Sequence, residues 1–463
     1  MVKEDIGNKE FMKKTLLIAP IGDPTRYKEV RYKLKDRQID NCVSFLTHHA
    51  DHVIIVGLSS IIDPEIKEIK EESKCMKIIK EILSNVSPVS SYKEFHDSSE
   101  VALKEFTEKI YQEYKNIKKD FIILPALGKP GKNYLFKFEP ATISSLLLIQ
   151  LYNKVKNDFY DRIIVDLTHG INYLPAVCYI ATLQIAQIML IRALRNNVSQ
   201  IRFEAYNSDP FKEGEELNIN LTSERKIQTL ADNLIEFLAS KQSLIRRGKD
   251  IKEVAKIIDE INTVKGEVES LLESLEYPYP LALSYLCNSF NLNLEGVLNN
   301  LITIFLDSVK YENNVFSSEI HIDPGKTFLL ILANEIVNYV KEIVKPYEGK
   351  GFELDTIENL ANLYKLVIPS YKYLIKHEIS KIKEKLNNID CFKGTLKELF
   401  KEELKEVEKV DKRIMIAHAG LQKQFVYVTK EYGKIYLAYY YGKVLELKDE
   451  DVKIIKDIIL EKN

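Results

Sequence analysis

The chain has 463 residues, too many for one ordinary hydrophobic core, so we expect two or three domains. Hydrophobic residues make up 45% of it, which excludes an intrinsically disordered chain. The formal net charge of −2 gives no overall positive field, so any RNA-binding site has to be a local feature. The cysteines stand singly along the chain and indicate neither a zinc site nor a disulfide framework: Cys42, Cys75, Cys178, Cys287 and Cys391.

The first half of the chain predicts an α/β domain with a mostly parallel sheet. Strand patterns alternate there with helical patterns such as Ser99–Ile117 and Ala141–Lys156, which is typical of parallel strands joined by crossover helices. The predicted strands lie near residues 15–20, 53–57, 121–125, 162–166, 200–206 and 217–221. The longest apolar stretch, Leu174 to Ile191, contains polar residues and lies between two strands, which favours a buried crossover or dimer helix over a membrane span.

The N-terminal residues indicate the cellular compartment, and a group of histidines raises the question of a metal site. The first residues are charged and no apolar segment with a cleavage site follows, so we expect a soluble, cytoplasmic protein with no membrane partner. His48, His49 and His52 lie close to Asp51 in the sequence, a grouping that could hold a metal ion. The end of a helix before the strand at 53 explains them more simply, so we predict no metal site and no cofactor.

Three predicted strands end in turns of small and polar residues, at 21–27, 128–132 and 168–170. The carboxyl ends of parallel strands form the edge at which ligands bind, and free backbone N–H groups there suit an anion. The dinucleotide fingerprint Gly-x-Gly-x-x-Gly is absent. The three turns together favour a nucleotide or oligonucleotide pocket, although an ordinary βα turn capped by Thr168 and a solvated loop around Lys129 fit the same residues.

The second half of the chain predicts mainly helices. From Ser223 the strand patterns stop, and residues 224–275 form a charged helical segment: a linker, a helical hairpin or a helix-turn-helix-like module. Prolines at 278 and 280 mark a boundary. Beyond it we predict helices as far as Gly420, a β-hairpin from 425–428 and 435–439 around Gly433, and a last helix from near Asp449.

Arg413 and His418 are the candidate catalytic pair. Arginine stays charged and can hold a phosphate and offset the negative charge that grows on it, and histidine can move a proton near neutral pH. Such a pair can cut RNA without a metal, because the 2′-hydroxyl of RNA is the nucleophile. Five helical residues turn through about 500°, so the two side chains would point about 140° apart on one helix. Two copies meeting on a two-fold axis could build a composite site, which predicts a dimer.

The turn Asp166-Leu167-Thr168-His169-Gly170, the turn Gly22-Asp23-Pro24 and the C-terminal Arg413-x4-His418 together resemble a known family. It is the CRISPR-associated ribonucleases that join an N-terminal CRISPR-associated Rossmann-like (CARF) domain to a C-terminal HEPN nuclease domain. The resemblance covers essentially the whole chain. It implies an α/β CARF sheet domain at 1–222, a helical connector at 223–280, and at 281–463 a mainly α-helical HEPN domain with a small β-hairpin.

This resemblance also implies a function and a set of site residues. The family's members are metal-independent endoribonucleases of type III CRISPR antiviral defence that cut single-stranded RNA, act as homodimers or assemblies of dimers, and are activated by a cyclic oligoadenylate, usually cyclic tetra-adenylate. Arg413 and His418 would be the nuclease pair. Ile414 departs from the family, in which a polar residue commonly follows the arginine. The activator would bind Gly22, Asp23, Thr25, Arg26, Gly128, Lys129, Gly131, Thr168, His169, Gly170 and Asn172.

Two other classes of protein remain open from the sequence. One is a ligand-responsive regulator without nuclease activity, in which 223–280 reads DNA; the balanced charges of that segment speak against it. The other is a conventional nucleotide-binding enzyme that uses the α/β half alone; the missing glycine-rich and P-loop fingerprints speak against that.

Overall fold

The computed structural model describes residues 14–64, 69–87, 89–112, 117–171, 173–230, 244–246, 255–401 and 410–460, without the side chains of 246, 255–265 and 458–460. The chain divides into two compact units, one formed by 1–227 with 302–321 and the other by 228–301 with 322–463. Residues 228–280 of the predicted connector belong to the second unit, and residues 302–321 of the predicted HEPN domain belong to the first unit. Residues 231–243 and 247–254, about a third of the segment 223–280 for which a helix-turn-helix is one hypothesis, lie outside the described residues, and Ala255–Glu276 forms one helix.

The described strands and helices are numbered in chain order. The strands are β1 (Thr15–Pro20), β2 (Val30–Leu34), β3 (Arg37–Asn41), β4 (His52–Leu58), β5 (Lys118–Leu124), β6 (Leu135–Lys137), β7 (Arg162–Asp166), β8 (Ile201–Ser208), β9 (Leu217–Ile227), β10 (Ile245–Arg246), β11 (Lys310–Glu312), β12 (Val315–Ser317), β13 (His321–Ile322), β14 (Pro346–Tyr347), β15 (Gly351–Glu353), β16 (Phe392–Thr395), β17 (Val426–Glu431) and β18 (Lys434–Tyr439). The helices are α1 (Lys74–Leu83), α2 (Tyr92–Ile110), α3 (Pro140–Val155), α4 (Leu174–Arg195), α5 (Ala255–Glu276), α6 (Pro280–Ser289), α7 (Leu294–Asp307), α8 (Pro324–Ile343), α9 (Leu354–Asn359), α10 (Ala361–Val367), α11 (Pro369–Leu386), α12 (Leu396–Phe400), α13 (Lys412–Ala417) and α14 (Asp449–Leu460).

The first unit is built on a mixed sheet of eight strands in the order β3-β2-β9-β8-β7-β1-β4-β5. The five strands from β8 to β5 are parallel, as predicted, and the three central ones, β7, β1 and β4, are apolar and buried on both faces. The hairpin β2–β3 and the antiparallel β9 extend the sheet at one side. The sequence analysis missed β2 and β3, because their alternating charged residues are half exposed and resemble a loop.

The strand order reverses at β1, which sits between β4 and β7. After β1 the chain first forms β4 on one side of β1 and then β5 beyond it. It later crosses back to form β7 on the other side of β1. The loops after such strands diverge and leave a crevice at the carboxyl edge, the usual ligand site of open α/β sheets. Two of the three turns predicted to bind a ligand, those after β1 and after β7, therefore lie next to this crevice.

Helix α4 is the apolar stretch that the sequence placed between two strands. It is long and apolar enough to cross a membrane by length and composition, and 67% of its most apolar window is buried inside the protein. Helix α2 spans Tyr92–Ile110, so the expected bounds of 99 and 117 were wrong. Ser91 caps it by accepting a hydrogen bond from the Glu94 backbone N–H, a start that the sequence analysis overlooked.

A disulfide joins Cys42 and Cys75, contrary to the expectation that no disulfides form. Both residues are fully buried in the core of the first unit, between the end of β3 and the first turn of α1. Their separation of 33 residues follows no local spacing pattern, since the tertiary fold alone brings them together. Cys178, Cys287 and Cys391 are free.

The second unit combines helices with a five-stranded antiparallel sheet in the order β14-β15-β18-β17-β16. The predicted hairpin is its centre: β17 and β18 pair from Val426–Tyr439 to Glu431–Lys434. Tyr432 and Gly433 between them both have positive φ, as a type I′ turn requires. The expectation of helices alone as far as Gly420 was wrong, because strands of two to four residues are too short to show a periodic pattern.

Candidate functional site

A cavity of about 210 Å³ lies at the carboxyl edge of the first unit's sheet. The turn after β1 and the loop after β5 contribute most of the predicted residues that line it. Its lining is Gly22, Asp23, Thr25, Arg26, Ser60, Ile61, Pro64, Ile69, Pro130, Gly131, Lys132 and Ile171. The sequence analysis missed Ser60, Ile61 and Pro64, although the carboxyl end of β4 has to share this edge once β4 pairs with β1.

The turn after β1 is held by its own side chains. The Asp23 carboxylate accepts hydrogen bonds from the Thr25 backbone N–H at 3.0 Å and from the Thr25 hydroxyl at 2.5 Å, and pairs with Arg26 at 3.2 Å. The Arg26 side chain is 81% exposed, so its guanidinium can reach a ligand. Gly22 is required sterically, because a Cβ there would lie 2.7 Å from the Ile171 side chain. This turn thus presents one exposed cation, paired with Asp23, beside a tightly packed backbone.

The loop after β5 packs against Asp63, which follows β4. A Cβ on Gly131 would overlap the Asp63 carboxylate, so only glycine fits there. Asp63 accepts a hydrogen bond from the Asn133 backbone N–H at 3.3 Å, and burial raises its pKa. Gly128 adopts φ 70° and pairs with Phe136, at the base of the loop. Lys132 lines the cavity, whereas the predicted Gly128 and Lys129 are not among its lining residues.

The turn after β7 is organised around Asp166, which is 1% exposed. Its carboxylate accepts hydrogen bonds from the Ser44 hydroxyl at 2.9 Å, the Thr168 backbone N–H at 3.0 Å and the His48 ring at 3.1 Å. Burial alone would raise its pKa, but these bonds, led by that of His48, outweigh burial and lower the pKa to about 2. His48 is therefore a partner of a buried carboxylate, and His52 bonds the partly exposed Asp120 at 3.0 Å.

His169 is directed into the protein. Its Nε2 accepts a hydrogen bond from the Ser44 backbone N–H at 2.9 Å, and its ring packs on Tyr27 with centroids 4.7 Å apart. Burial lowers its pKa to about 4, so the ring is neutral at physiological pH. His169 thus fixes the turn after β7. Thr168, His169 and the exposed Gly170 do not line the cavity, and Asn172 lies outside the described residues.

In the second unit, Arg413 and His418 lie at the two ends of α13. Asp411 caps this helix by accepting hydrogen bonds from the backbone N–H groups of Arg413 at 2.8 Å and Ile414 at 3.4 Å. The helix ends at Ala417, because Ala419 and Gly420 have positive φ. His418 is therefore the C-cap, and the angle of about 140° expected for one continuous helix does not apply. Arg413 and Ile414 are exposed.

His418 has a partner that the sequence analysis missed. Its Nδ1 lies 3.1 Å from the Oε2 of Glu378 on α11, and the other oxygen of Glu378 accepts a hydrogen bond from Lys381 at 2.7 Å. Burial would raise the pKa of Glu378, but the bonds from Lys381 and His418 outweigh it and lower that pKa. The charged carboxylate requires a proton on Nδ1, which leaves Nε2 as the nitrogen for proton exchange. No local pattern could indicate this pair, because it spans 40 residues of sequence.

Groups of side chains that could hold a metal ion together are few in the part of the chain that the structure describes. One group there, His96 with Asp97 and Glu100 on α2, has ligand atoms within 4.8 Å of one another. Neither Arg413 nor His418 belongs to it, and the residues that line the cavity at the sheet edge do not either.

Comparison with known proteins matches both units. Residues 16–210 match the model of the CARF domain of the CRISPR system endoribonuclease Csx1, and residues 369–441 match that of its HEPN domain. The second match contains Glu378, Arg413 and His418. The chain is also 25% identical over 456 residues to the CRISPR system endoribonuclease Csx1 of Methanocaldococcus jannaschii, covering 91% of this chain and 89% of that protein.

Proposed function

Since the chain belongs to the CRISPR-associated ribonucleases that join a CARF domain to a HEPN domain, we propose that it cuts single-stranded RNA without a metal ion and is switched on by a cyclic oligoadenylate. One observation carries the nuclease half of this proposal. His418, inside the matched HEPN segment, is oriented by a buried, charged Glu378. A histidine held in one tautomer by a carboxylate is the arrangement that general acid–base catalysis uses.

The proposed reaction is an internal transfer at phosphorus. The ribose 2′-oxygen attacks the adjacent phosphate and loses its proton, and the bond to the 5′-oxygen of the next nucleotide breaks as that oxygen gains a proton. Arg413 binds the phosphate and offsets its growing negative charge. The Nε2 of His418 assists the proton transfer. The products are a 2′,3′-cyclic phosphate and a 5′-hydroxyl.

A homodimer is part of the proposal. Arg413 and Ile414 are exposed on the first turn of α13, and His418 is 37% exposed at its other end. An apolar residue beside an exposed arginine suits a contact with a second copy, in which two arginines and two histidines would line one cleft. We place this dimer in the cytoplasm and expect no membrane partner.

Activation would occur at the sheet edge of the first unit. The exposed Arg26 and the cavity-lining Lys132 supply positive charge for phosphates, and Gly22 and Gly131 let the two turns that line the cavity pack against Ile171 and Asp63. Cyclic tetra-adenylate is the activator we propose, bound across the two-fold axis. Its binding would change the geometry of the dimer and thereby the nuclease cleft, a coupling between two sites.

Product analysis tests the chemistry. A labelled RNA and the same strand with a single 2′-deoxy position at the cut are incubated with the protein, and the ends are identified by mass. We expect cyclic phosphate and 5′-hydroxyl ends from RNA and no cut at the deoxy position. A 3′-hydroxyl product, or cutting at the deoxy position at a similar rate, would refute attack by the 2′-oxygen.

A further inference from the structure

Helix α11 carries an excess of positive charge in a chain whose net charge is −2. It has five lysines and two glutamates. One of those glutamates, Glu378, points inward, and its carboxylate is paired with His418 and Lys381. Lys383 pairs with Asp355 and Glu358 on a neighbouring helix, so the local basic surface of α11 beside the proposed nuclease site comes mainly from Lys372 and Lys376.

One row of side chains on α11 leads to that site. Tyr373, His377 and Lys381 are spaced four residues apart, so they are successive neighbours on one side of the helix. The Tyr373 side chain is 74% exposed, His377 is exposed, and Lys381 is 41% exposed. Lys381 donates to Glu378, which also bonds His418. The row, about 12 Å long, thus connects an exposed aromatic ring to the proposed catalytic histidine.

Lysines flank the exposed ring. Lys372 precedes Tyr373 in the chain, and Lys376 lies one helical turn further along. Partial burial together with the charges of Lys376 and Lys365 lowers the pKa of Lys372. Neither Lys372 nor Lys376 forms an ion pair within the part of the chain that the structure describes. Their charge is consequently available to an external anion.

An exposed aromatic ring between unpaired cations fits single-stranded nucleic acid. Bases stack on such rings whatever their identity, and phosphates track along the neighbouring cations. A second copy of the chain fits this surface poorly, because a two-fold contact through it would bring Lys372 and Lys376 against the same lysines of the partner.

We propose that the row Tyr373–His377–Lys381 is the track along which single-stranded RNA enters the site at His418, with a base stacked on Tyr373 and phosphates near Lys376 and Lys381. This inference rests on the proposed nuclease function. It adds an RNA-binding surface outside Arg413 and His418, on the opposite side of α11 from its buried residues.

Binding without cutting tests the track. Full-length His418→Ala protein is titrated against a fluorescent single-stranded RNA at several salt concentrations, alone and with a second change. Tyr373→Ala should weaken binding roughly 5- to 100-fold, and Tyr373→Phe should retain it, because the ring is what stacks. Lys376→Ala should reduce the slope of log affinity against log salt by about 0.7. Tyr432→Ala, which removes a ring that is 99% exposed at the β17–β18 turn, is the matched control and should bind as the parent does.

Equal binding by the Tyr373→Ala and Tyr432→Ala proteins would overturn the track. So would a Tyr373→Ala protein that becomes monomeric by light scattering, because the surface would then belong to a second copy. Cleavage assays with Tyr373→Ala in a protein that retains His418 separate the track proposal from the nuclease proposal. RNA cutting with an unchanged KM in Tyr373→Ala refutes the track and leaves the nuclease standing. RNA binding that depends on Tyr373, in a protein that does not cut RNA under any condition tested, refutes the nuclease function and leaves the RNA-binding track standing.

Discussion

The hydrogen bond between Glu378 and His418 gives the sharpest single prediction. Glu378→Gln preserves the shape of the side chain and removes the charge that holds the proton on Nδ1 of His418. A hydrogen bond to a charged group contributes about 1.5–3 kcal/mol. His418 is 37% exposed, so solvent screening favours the lower end of this range. About 1.5 kcal/mol corresponds to a roughly tenfold fall in kcat.

Single-turnover cleavage of a labelled RNA by the Glu378→Gln protein measures this effect. KM should stay the same, because the Glu378 side chain is only 11% exposed and does not reach the RNA. Glu384→Gln changes an exposed glutamate of the same helix and should cut at the parent rate. A Glu378→Gln protein that unfolds at the parent's temperature and cuts at the parent's rate would refute the orienting role. A rise in KM with kcat unchanged would also contradict it.

Three further predictions concern the first unit. Gly131→Ala pushes a methyl group into the Asp63 carboxylate and displaces the loop after β5, so cyclic tetra-adenylate should bind at least about tenfold more weakly by calorimetry; an unchanged Kd would mean that this loop does not form the site. Arg26→Ala removes an 81% exposed cation, and the activator concentration for half-maximal cutting should rise about tenfold, whereas an unchanged value would remove Arg26 from the site. The pKa of Asp166, lowered to about 2 against about 3.9 in an unfolded chain, gives about 2.6 kcal/mol of stability that is present above pH 4 and lost as the pH falls toward 2. Asp166→Asn should therefore lose about that much unfolding free energy in urea at pH 7 and little near pH 2, and an equal loss at both would refute the assignment.

The parallel strands of the first unit were predictable, because β1, β4 and β7 are short apolar runs that end in turn residues. The half-exposed β2 and β3 were not, since alternating charges carry no sign of the sheet that they extend. The same limit applies to the strands of two to four residues in the second unit. Strand pairing rather than local residue preference creates these elements, and β2 joins the sheet by pairing with the distant β9 as well as with β3.

The candidate sites divide in the same way. The turns at strand ends were expected to bind a ligand, and the family resemblance implied the individual residues; the structure places Gly22, Asp23, Thr25, Arg26 and Gly131 around one cavity. His169 belongs to an equally plausible turn but points into a cluster of tyrosines, a direction that no local pattern could show. The role of Glu378 could not be predicted from the sequence for a related reason, because α11 and α13 come together only in the folded chain.

Cutting of a labelled single-stranded RNA in EDTA, with and without cyclic tetra-adenylate, tests the central claim most directly when the wild-type and His418→Ala proteins are compared. We predict strong cutting by the wild type that requires the activator and persists in EDTA, and none by His418→Ala. Wild-type cutting that EDTA abolishes, or equal cutting by His418→Ala, would contradict the account.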